Sequence, residues 1–166
     1  EIMYDPDAVS DSDGEWFEVY NNTAYTINLK GLTVSDDSLY GAADIFVVST
    51  DTLVTTHDRV VFGAKDSSVN GGVTVDYNYA GGGVSLNNSG DDVYLGISSG
   101  GRYTTIDSVS YNELSGWPIA KGFSIELNDS HVTSTENDQA SNWCLATSIA
   151  GNTTDKGSPG AVSSGC

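Results

Sequence analysis

Apolar and polar residues alternate along several short segments of the chain. The alternation is clearest at 16–20, 93–97 and 123–127, where apolar side chains occupy every second position. Successive side chains of a β-strand point to opposite faces, so the pattern predicts half-buried strands in antiparallel sheets. The same alternation over 73–79 predicts a strand that places four apolar side chains on one face: Val73, Val75, Tyr77 and Tyr79. Further strand candidates are 2–4, 27–34, 45–48, 59–62 and 105–111.

Turn-forming residues separate these segments, for example Ser12-Asp13-Gly14, Asn88-Ser89-Gly90 and Ser99-Gly100-Gly101. About nine short strands joined in this way predict an all-β fold, a sandwich or barrel, built as a single domain of residues 1–166. Segment 49–57 is ambiguous, because its sparse apolar residues are compatible with a strand or with one helical turn.

The charge of the chain limits its possible partners. There are 23 Asp and Glu residues against six Lys and Arg residues, which gives a formal net charge of −17. A surface this acidic repels phosphate backbones and has few cations with which to release the counterions of a nucleic acid. We therefore expect no direct binding to DNA or RNA. The sequence has no run of about 18 apolar residues, so we also expect no membrane insertion.

The chain has two cysteines, Cys144 and Cys166. In a sequence rich in Ser, Thr, Asn and Asp, such a pair favours a disulfide formed in an oxidising compartment; two unrelated free thiols are the alternative. The bond would restrict the unfolded chain by about 3 kcal/mol in the loop-entropy model and would hold the C-terminal residues in place. The expected location is therefore outside the cell, either secreted or at the cell surface.

Acidic residues crowd the loop that follows the first predicted strand. Asp5, Asp11, Asp13 and Glu15 are candidate calcium ligands, because calcium in proteins is bound by oxygen atoms. The pattern is not that of an EF-hand, since position twelve counted from Asp11 is Asn22 rather than a bidentate Glu. A solvated acidic turn is the alternative. Apart from this calcium question, the sequence predicts no cofactor.

The sequence contains no residue set that would support catalysis. His57 and His131 are the two possible histidine bases, both stand in polar surroundings, and no G-x-S-x-G motif accompanies them. Paired carboxylates for glycoside cleavage would need a buried, apolar setting, whereas most acidic residues here fall in turns. No catalytic residue is predicted, and a hydrolase that uses the acidic loops is the minor alternative.

The three tryptophans raise a second alternative. Trp16 and Trp143 flank strand patterns, where packing in the core is usual, and Trp117 precedes Pro118 in a loop. If these side chains were instead exposed in one row, the chain would be a carbohydrate-binding β-sandwich module, with or without calcium. The two interpretations differ in whether the three tryptophans are buried.

Several segments, taken in order, resemble the lamin tail domain family, and in particular its bacterial extracellular branch. They are EIMYDP at 1–6, DGEWFEVYN at 13–21, INLKGLTVSD at 27–36, SLNNSGDDVYL at 85–95, IDSVSY at 106–111, GFSIEL at 122–127, NW at 142–143 and GSPGA at 157–161. The resemblance runs nearly from end to end. Each motif is weak alone, and the specificity lies in their order and spacing.

The resemblance implies an immunoglobulin-like antiparallel sandwich of two sheets without enzymatic activity. It also implies an accessory or interaction module within a larger secreted or surface protein. The partner would be a protein, a glycan or a neighbouring catalytic domain of the same polypeptide, engaged through loops at one end of the sandwich or along an unpaired edge strand. Nuclear members of the family bind chromatin, but the acidity of this chain argues against a nucleic-acid role.

Overall fold

The computed structural model describes residues 1–37, 45–80 and 82–166. Nearly all of its regular structure is β, and the one α-helical turn is α1 (Asp11–Gly14). The strands found among the described residues are β1 (Ile2–Met3), β2 (Trp16–Tyr20), β3 (Ile27–Asn28), β4 (Leu32–Ser35), β5 (Ile45–Val47), β6 (Leu53–Val54), β7 (Arg59–Gly63), β8 (Tyr77–Asn78), β9 (Gly90–Ser99), β10 (Arg102–Asn112), β11 (Ile125–Leu127) and β12 (Trp143–Leu145). Short 3₁₀ turns lie at Glu113–Ser115 and Ala140–Asn142.

The strands form two main sheets. One has six strands in the order β12-β11-β1-β2-β7-β8, and the other has four in the order β10-β9-β4-β5. A small third sheet pairs β3 with β6. Strand β1 therefore lies near the middle of the six-stranded sheet, between strands that are distant from each other in sequence. Strands β9 and β10 form a long hairpin, whose turn uses Gly100 and Gly101 at positive φ, as a tight hairpin turn requires.

One hydrophobic core fills the space between the two main sheets. Alternate residues of each strand point into it, such as Ile2, Phe17 and Phe62 from the six-stranded sheet and Val34 and Val93 from the four-stranded sheet. The rings of Phe17 and Phe62 stack with their centroids 5.0 Å apart. The prediction of an all-β, two-sheet sandwich is confirmed.

A second apolar cluster covers the outer face of the six-stranded sheet. Met3, Trp16 and Val61 point away from the main core and pack against Val73 and Ala150, which come from segments outside the sheet. The six-stranded sheet is thus covered on both faces. At one end of this sheet the residues that point away from the main core are also apolar. Trp16 is therefore buried on the outer face, although its neighbour Phe17 points into the main core on the opposite face.

The prediction for 73–79 is wrong. Only Tyr77–Asn78 is a strand, and it pairs in parallel with β7, whereas the strand pairs were predicted to be antiparallel. Val73 and Val75 pack with the outer cluster, but Tyr77 and Tyr79 pack with the main core. The four side chains do not share a face, because the segment passes around the edge of β7. There the Asp76 N–H donates to the Val61 oxygen, and the Val61 N–H donates to the Asp76 carboxylate.

Three other segments differ from the predicted strands. The segment 27–34 is divided into β3 and β4 at Gly31, whose φ of 90° breaks the extended conformation. The ambiguous segment 49–57 contains strand β6 and no helical turn. Strand β12 was not predicted, because Trp143–Leu145 is too short to show an alternation. None of the helices in the described residues is long and apolar enough to cross a membrane.

The stacked ring of Phe62 generates a first prediction. Phe62→Ala removes a fully buried ring and leaves a cavity between the sheets, so the free energy of unfolding falls by about 4 kcal/mol. Leu114→Ala is the control, because Leu114 is 96% exposed and its truncation costs less than about 0.5 kcal/mol. Urea unfolding at pH 7 measures both changes. Equal stabilities of the two variants would contradict this description of the core.

Candidate functional site

A cavity of about 310 Å³ opens between the two main sheets. We call it the inter-sheet cavity. Its inner walls are apolar and come from both sheets and from β3, whereas its outer part reaches polar side chains on the far side of the six-stranded sheet. The apolar wall residues include Val19, Ile27, Leu29, Leu95, Val109 and Leu127. Concave apolar spaces with a few polar groups are the usual form of binding sites in proteins.

Two polar side chains meet at one wall of the inter-sheet cavity. The Asn137 amide Nδ2 donates to Asp107 Oδ2 at 2.9 Å, and Trp143 Nε1 donates to the backbone oxygen of Asn137 at 2.8 Å. Burial raises the pKa of Asp107 above its ordinary value. Asn137 Oδ1 is buried and has no hydrogen-bond partner among the described residues. These groups give the otherwise apolar cavity one polar wall.

Three carboxylates lie on the outer face of the six-stranded sheet. The same alternation that sends Ile2, Phe17 and Ile125 into the core sends Glu1, Glu18 and Glu126 outward. The outward side chain of Glu126 is nevertheless only 1% exposed, because residues 158–166 lie over it. We call these residues the C-terminal strap.

The C-terminal strap supplies donors to the Glu126 carboxylate. The backbone N–H groups of Ser164 and Gly165 both donate to Oε2 at 2.7 Å. The Ser158 hydroxyl donates to Oε1 at 2.5 Å, and the hydroxyls of Ser163 and Ser164 donate at 3.1 and 3.0 Å. A buried carboxylate is costly unless its lone pairs are satisfied, and here the strap satisfies them.

A disulfide holds the C-terminal strap at its far end. Cys144 on β12 lies opposite Glu126 on β11, and its sulfur is bonded to that of Cys166. The predicted disulfide is confirmed. Glu126 is therefore enclosed by its neighbouring strand, the disulfide and the strap.

Glu1 is the neighbour of Glu126 in this arrangement. Glu1 Oε1 accepts from the Ser124 hydroxyl at 2.6 Å and from the backbone N–H of Ser158 at 2.8 Å. Burial raises the pKa of Glu1 to about 7. A carboxyl group with a raised pKa beside a second carboxylate resembles an acid–base pair. Both groups border the outer part of the inter-sheet cavity, but the oxygens of Glu1 accept from Ser124 and Ser158 and those of Glu126 accept from the strap, so the arrangement is suited to fixing the strap.

Arg59 neutralises part of this face. Its Nε lies 3.0 Å from Glu18, its Nη2 lies 2.5 Å from Asp129, and its guanidinium stacks 4.8 Å from the centroid of the Tyr20 ring. Asp129 Oδ2 also accepts from the backbone N–H of Ser163. Arg59 thereby links β2, β7, the segment after β11 and the C-terminal strap.

The four candidate calcium ligands make separate contacts. Asp13 accepts from the Ser10 hydroxyl at 2.9 Å, Asp11 accepts from the Asn88 amide at 3.3 Å, and Asp5 carries a pKa raised mainly by burial. No group of three or more acidic, His or Cys side chains within 1–37, 45–80 and 82–166 is placed to hold a metal ion. Calcium binding by these residues stays a prediction that no contact here supports.

Glu15, the fourth candidate, is buried rather than solvated. It is 2% exposed, and its Oε2 accepts from the backbone N–H of Leu86 at 3.0 Å. Burial raises its pKa to about 7. Glu15 thus connects the loop after α1 to the segment that precedes β9.

The residues considered for catalysis and sugar binding are also dispersed. His57 Nδ1 lies 3.2 Å from the Tyr20 hydroxyl, and His131 Nδ1 lies 3.4 Å from Glu136, both at the surface. Trp16, Trp117 and Trp143 are all buried, at 1%, 7% and 7% exposure. The tryptophan platform of the carbohydrate-binding alternative is therefore contradicted.

The sequence did not single out Glu126 or Ser158. Glu126 has the position of an ordinary outward residue in an alternating strand, and only the Ser/Gly-rich segment ending at Cys166 hinted that something lies over it. The inter-sheet cavity has no local sequence signal at all.

A comparison with models of known protein families agrees with this fold. The family model described as Lamin Tail Domain matches residues 1–113, about two thirds of the chain. No curated protein and no solved structure matches the chain. The matched region runs from β1 through β10, and the remaining residues contribute β11, β12 and the C-terminal strap to the same six-stranded sheet and its outer face.

The contacts of Glu126 predict a large effect of a small substitution. Glu126→Gln keeps the shape but removes the negative charge and replaces one of the two acceptor oxygens with an N–H₂ donor, so we expect a loss of about 3 kcal/mol in unfolding free energy. The backbone amides of Ser164 and Gly165 should exchange hydrogen faster. Glu113→Gln on the surface is the matched control. Unchanged exchange in Glu126→Gln would contradict the role of the strap.

The raised pKa of Glu15 predicts a pH effect on stability. A carboxyl whose folded pKa exceeds its unfolded value contributes stability that is complete below the unfolded pKa of about 4.5 and is lost as pH rises through about 7. Glu15→Gln retains the oxygen that accepts from Leu86 but does not titrate. Between pH 4.5 and 7.5 the unfolding free energy of the variant should therefore fall less than that of the unmodified chain.

Urea unfolding at several pH values measures this difference, with Glu113→Gln as the control for the loss of one negative charge. Parallel curves for all three proteins would show that Glu15 ionises normally in the folded state.

Proposed function

We propose that this chain, which belongs to the lamin tail domain family, is a non-catalytic interaction module of a larger secreted or surface protein. The family consists of immunoglobulin-like β-sandwich domains, and the fold of this chain is of that kind. The module would bind another protein or a neighbouring catalytic domain of the same polypeptide. Residues 1–166 would act as one unit, because strands from both ends of the chain share the six-stranded sheet.

The use of the buried polar groups supports a non-catalytic role. Glu15 and Glu126 are the most deeply buried carboxylates of the described residues. Their oxygens accept hydrogen bonds from backbone N–H groups and serine hydroxyls of the chain itself. Catalytic acids need access to a substrate as well as a shifted pKa. Glu15 and Glu126 are only 2% and 1% exposed, and the oxygens of Glu126, which borders the inter-sheet cavity, are already occupied by donors of the chain.

The disulfide supports an extracellular setting. Disulfides persist in oxidising compartments and are rare where thiols are kept reduced. Cys144 and Cys166 close a loop over the outer face of the six-stranded sheet, so that reduction would weaken the attachment of the C-terminal strap. A structural role of this type fits a protein that functions outside the cell.

The single observation that carries the proposed binding role is the edge of the four-stranded sheet. Strand β10 is eleven residues long and pairs with β9 on one side, and no described strand pairs with its other side. The Glu113 N–H donates to the backbone oxygen of Ser89, just beyond the end of the β9–β10 pairing. Because hydrogen-bonded positions alternate along an antiparallel pair, the backbone N–H and C=O groups of Ser108 and Ser110 point away from β9. Such an edge can accept an extended segment of a partner.

The chemistry of the edge indicates what the partner would be. Ile106 of β10 exposes 57% of its surface at the register shift between Thr105 and Asp107, and Ile97 of the neighbouring strand β9 exposes 47%. The chain carries a net charge of −17, which repels an acidic partner and a second copy. A basic or neutral protein segment with apolar side chains would match the edge best, and nucleic acid is not expected.

Site-specific photo-crosslinking tests the proposed function. A benzophenone amino acid replaces Thr105 on β10 in the full-length protein, made by its own host and irradiated in its natural compartment. We expect one defined cross-linked protein or domain, and Ile106→Asp should abolish the product by placing a charge at the contact. The control probe replaces Leu53 on β6, which is 65% exposed on a different sheet.

Equal, diffuse cross-linking from Thr105 and Leu53 would refute binding along β10. Turnover of a substrate by the purified chain, lost in Glu126→Gln under conditions where that variant is folded, would refute the non-catalytic role.

A further inference from the structure

One irregularity interrupts strand β10, whose outer side is not paired with any strand that the structure describes. The register between β10 and β9 shifts between Thr105 and Asp107, so that Ile106 is an extra residue on the β10 side. Bulges of this kind disrupt the ladder locally and are one of the means by which proteins limit pairing at an open sheet edge. The residue directly after the bulge is Asp107.

The side chain of Asp107 points toward the core side of the four-stranded sheet. Asp107 lies opposite Leu95 on β9 and alternates with Val109 and Tyr111, which pack with the main core. It is therefore an inward-pointing charge beside an open edge, which is a second device that natural sheets use against unspecific pairing.

Two hydrogen bonds fix the Asp107 carboxylate at this edge. Its Oδ1 accepts from the backbone N–H of Ser108 at 2.9 Å, and its Oδ2 accepts from Asn137 Nδ2 at 2.9 Å. Asn137 is only 7% exposed, and its backbone oxygen accepts from Trp143 Nε1. The position of the carboxylate is therefore set by buried residues.

The bond from Ser108 uses one of the backbone groups that point away from β9. Asp107 occupies this N–H, whereas the outward N–H of Ser110 has no hydrogen-bond partner among the residues that the structure describes. A segment that pairs along β10 must therefore take the Ser108 N–H from Asp107. The same segment covers the Asp107 carboxylate on the core side of the sheet.

No cation of the described chain offsets the charge of Asp107. None of the ion pairs within 1–37, 45–80 and 82–166 includes it, and burial raises its pKa, with the charge of Asp138 acting in the same direction. A neutral or acidic segment laid over Asp107 would remove its remaining water without supplying a charged partner, which is costly. A lysine or arginine would supply both a charge and N–H donors.

We propose that Asp107 is the specificity-determining residue of the β10 edge and admits an extended partner segment that carries Lys or Arg beside it. In a segment paired with Ser108 and Ser110, the side chains opposite Asp107 and Val109 lie on the core side, two residues apart. The partner's motif is therefore a basic and an apolar residue separated by one polar residue. The cation takes over the Asp107 carboxylate and frees the Ser108 N–H, and the apolar side chain covers Val109.

The inference rests on the proposed function and deepens it, because it gives the chemistry of the partner at the same edge. The net charge of −17 attracts every basic segment, whichever face carries the basic residue. Asp107 would instead distinguish segments of equal charge by the face on which that residue lies.

Two heptapeptides of identical composition separate these two effects. Acetyl-Thr-Lys-Thr-Val-Thr-Lys-Thr-amide places its lysines on the same face as its valine, in either strand direction. Acetyl-Lys-Thr-Thr-Val-Thr-Thr-Lys-amide places them on the opposite face. Each peptide is titrated at pH 7 into the labelled chain, and NMR measures the Kd and the hydrogen exchange of the Ser110 amide.

We expect the first peptide to bind the unmodified chain roughly tenfold more tightly than the second and to slow exchange at Ser110, because only its lysine reaches Asp107. Asp107→Asn keeps an acceptor for Ser108 but removes the charge, so the difference should fall to about twofold or less. Glu113→Gln, which removes an exposed charge just beyond β10, is the matched control and should keep the full difference.

Equal affinities of the two peptides for the unmodified chain would overturn the role of Asp107, and this comparison needs no variant. A full difference that survives in Asp107→Asn would overturn it as well, as would a lack of binding by both peptides. Cross-linking from Thr105 does not depend on these peptides. If it yields its defined product while the peptides bind equally or not at all, the proposed function stands and the assignment of Asp107 alone is overturned.

Discussion

The carboxylate of Glu126 must be satisfied inside the protein, and much of the architecture follows from that requirement. Strand alternation forces Glu126 to the outer face of the six-stranded sheet, where the C-terminal strap excludes water. A buried carboxylate without partners would cost several kcal/mol, so the strap has to deliver backbone and serine donors at fixed positions. The disulfide from Cys144 to Cys166 holds the strap where those donors reach Glu126.

This arrangement divides the six-stranded sheet into two different outer surfaces. Around Trp16 the sheet is covered by apolar contacts to Val73 and Ala150, whereas around Glu126 it is covered by hydrogen bonds to the strap. On the four-stranded sheet, no described strand pairs with the outer side of β10. Segments outside the sheets therefore protect one side of the sandwich and leave an edge of the other available, which is where the proposed binding role is placed.

Strands with a local pattern of alternating side chains could be predicted from the sequence, whereas features set by contacts with other segments could not. The strands β2, β7, β9 and β10 were predictable, because alternation over several residues is a local signal. The segment 73–79 has an equally clear alternation, yet it contributes side chains to two different clusters. Its conformation depends on pairing with the edge of β7, which lies outside the segment itself. The candidate acidic residues show a related limit, since nothing local distinguishes the buried Glu15 from the less buried Asp13.

The sequence by itself determined the all-β class and the acidic surface, because side-chain alternation and composition can be read without knowing which segments become neighbours. It favoured the pairing of its two cysteines, and it indicated two facing sheets only through the family resemblance. Only the tertiary structure decided which carboxylates are buried and that β8 pairs in parallel. Those features depend on which strands become neighbours, because burial and backbone pairing are set by residues outside the local segment, in some pairs more than a hundred positions apart, such as Ile2 and Ile125.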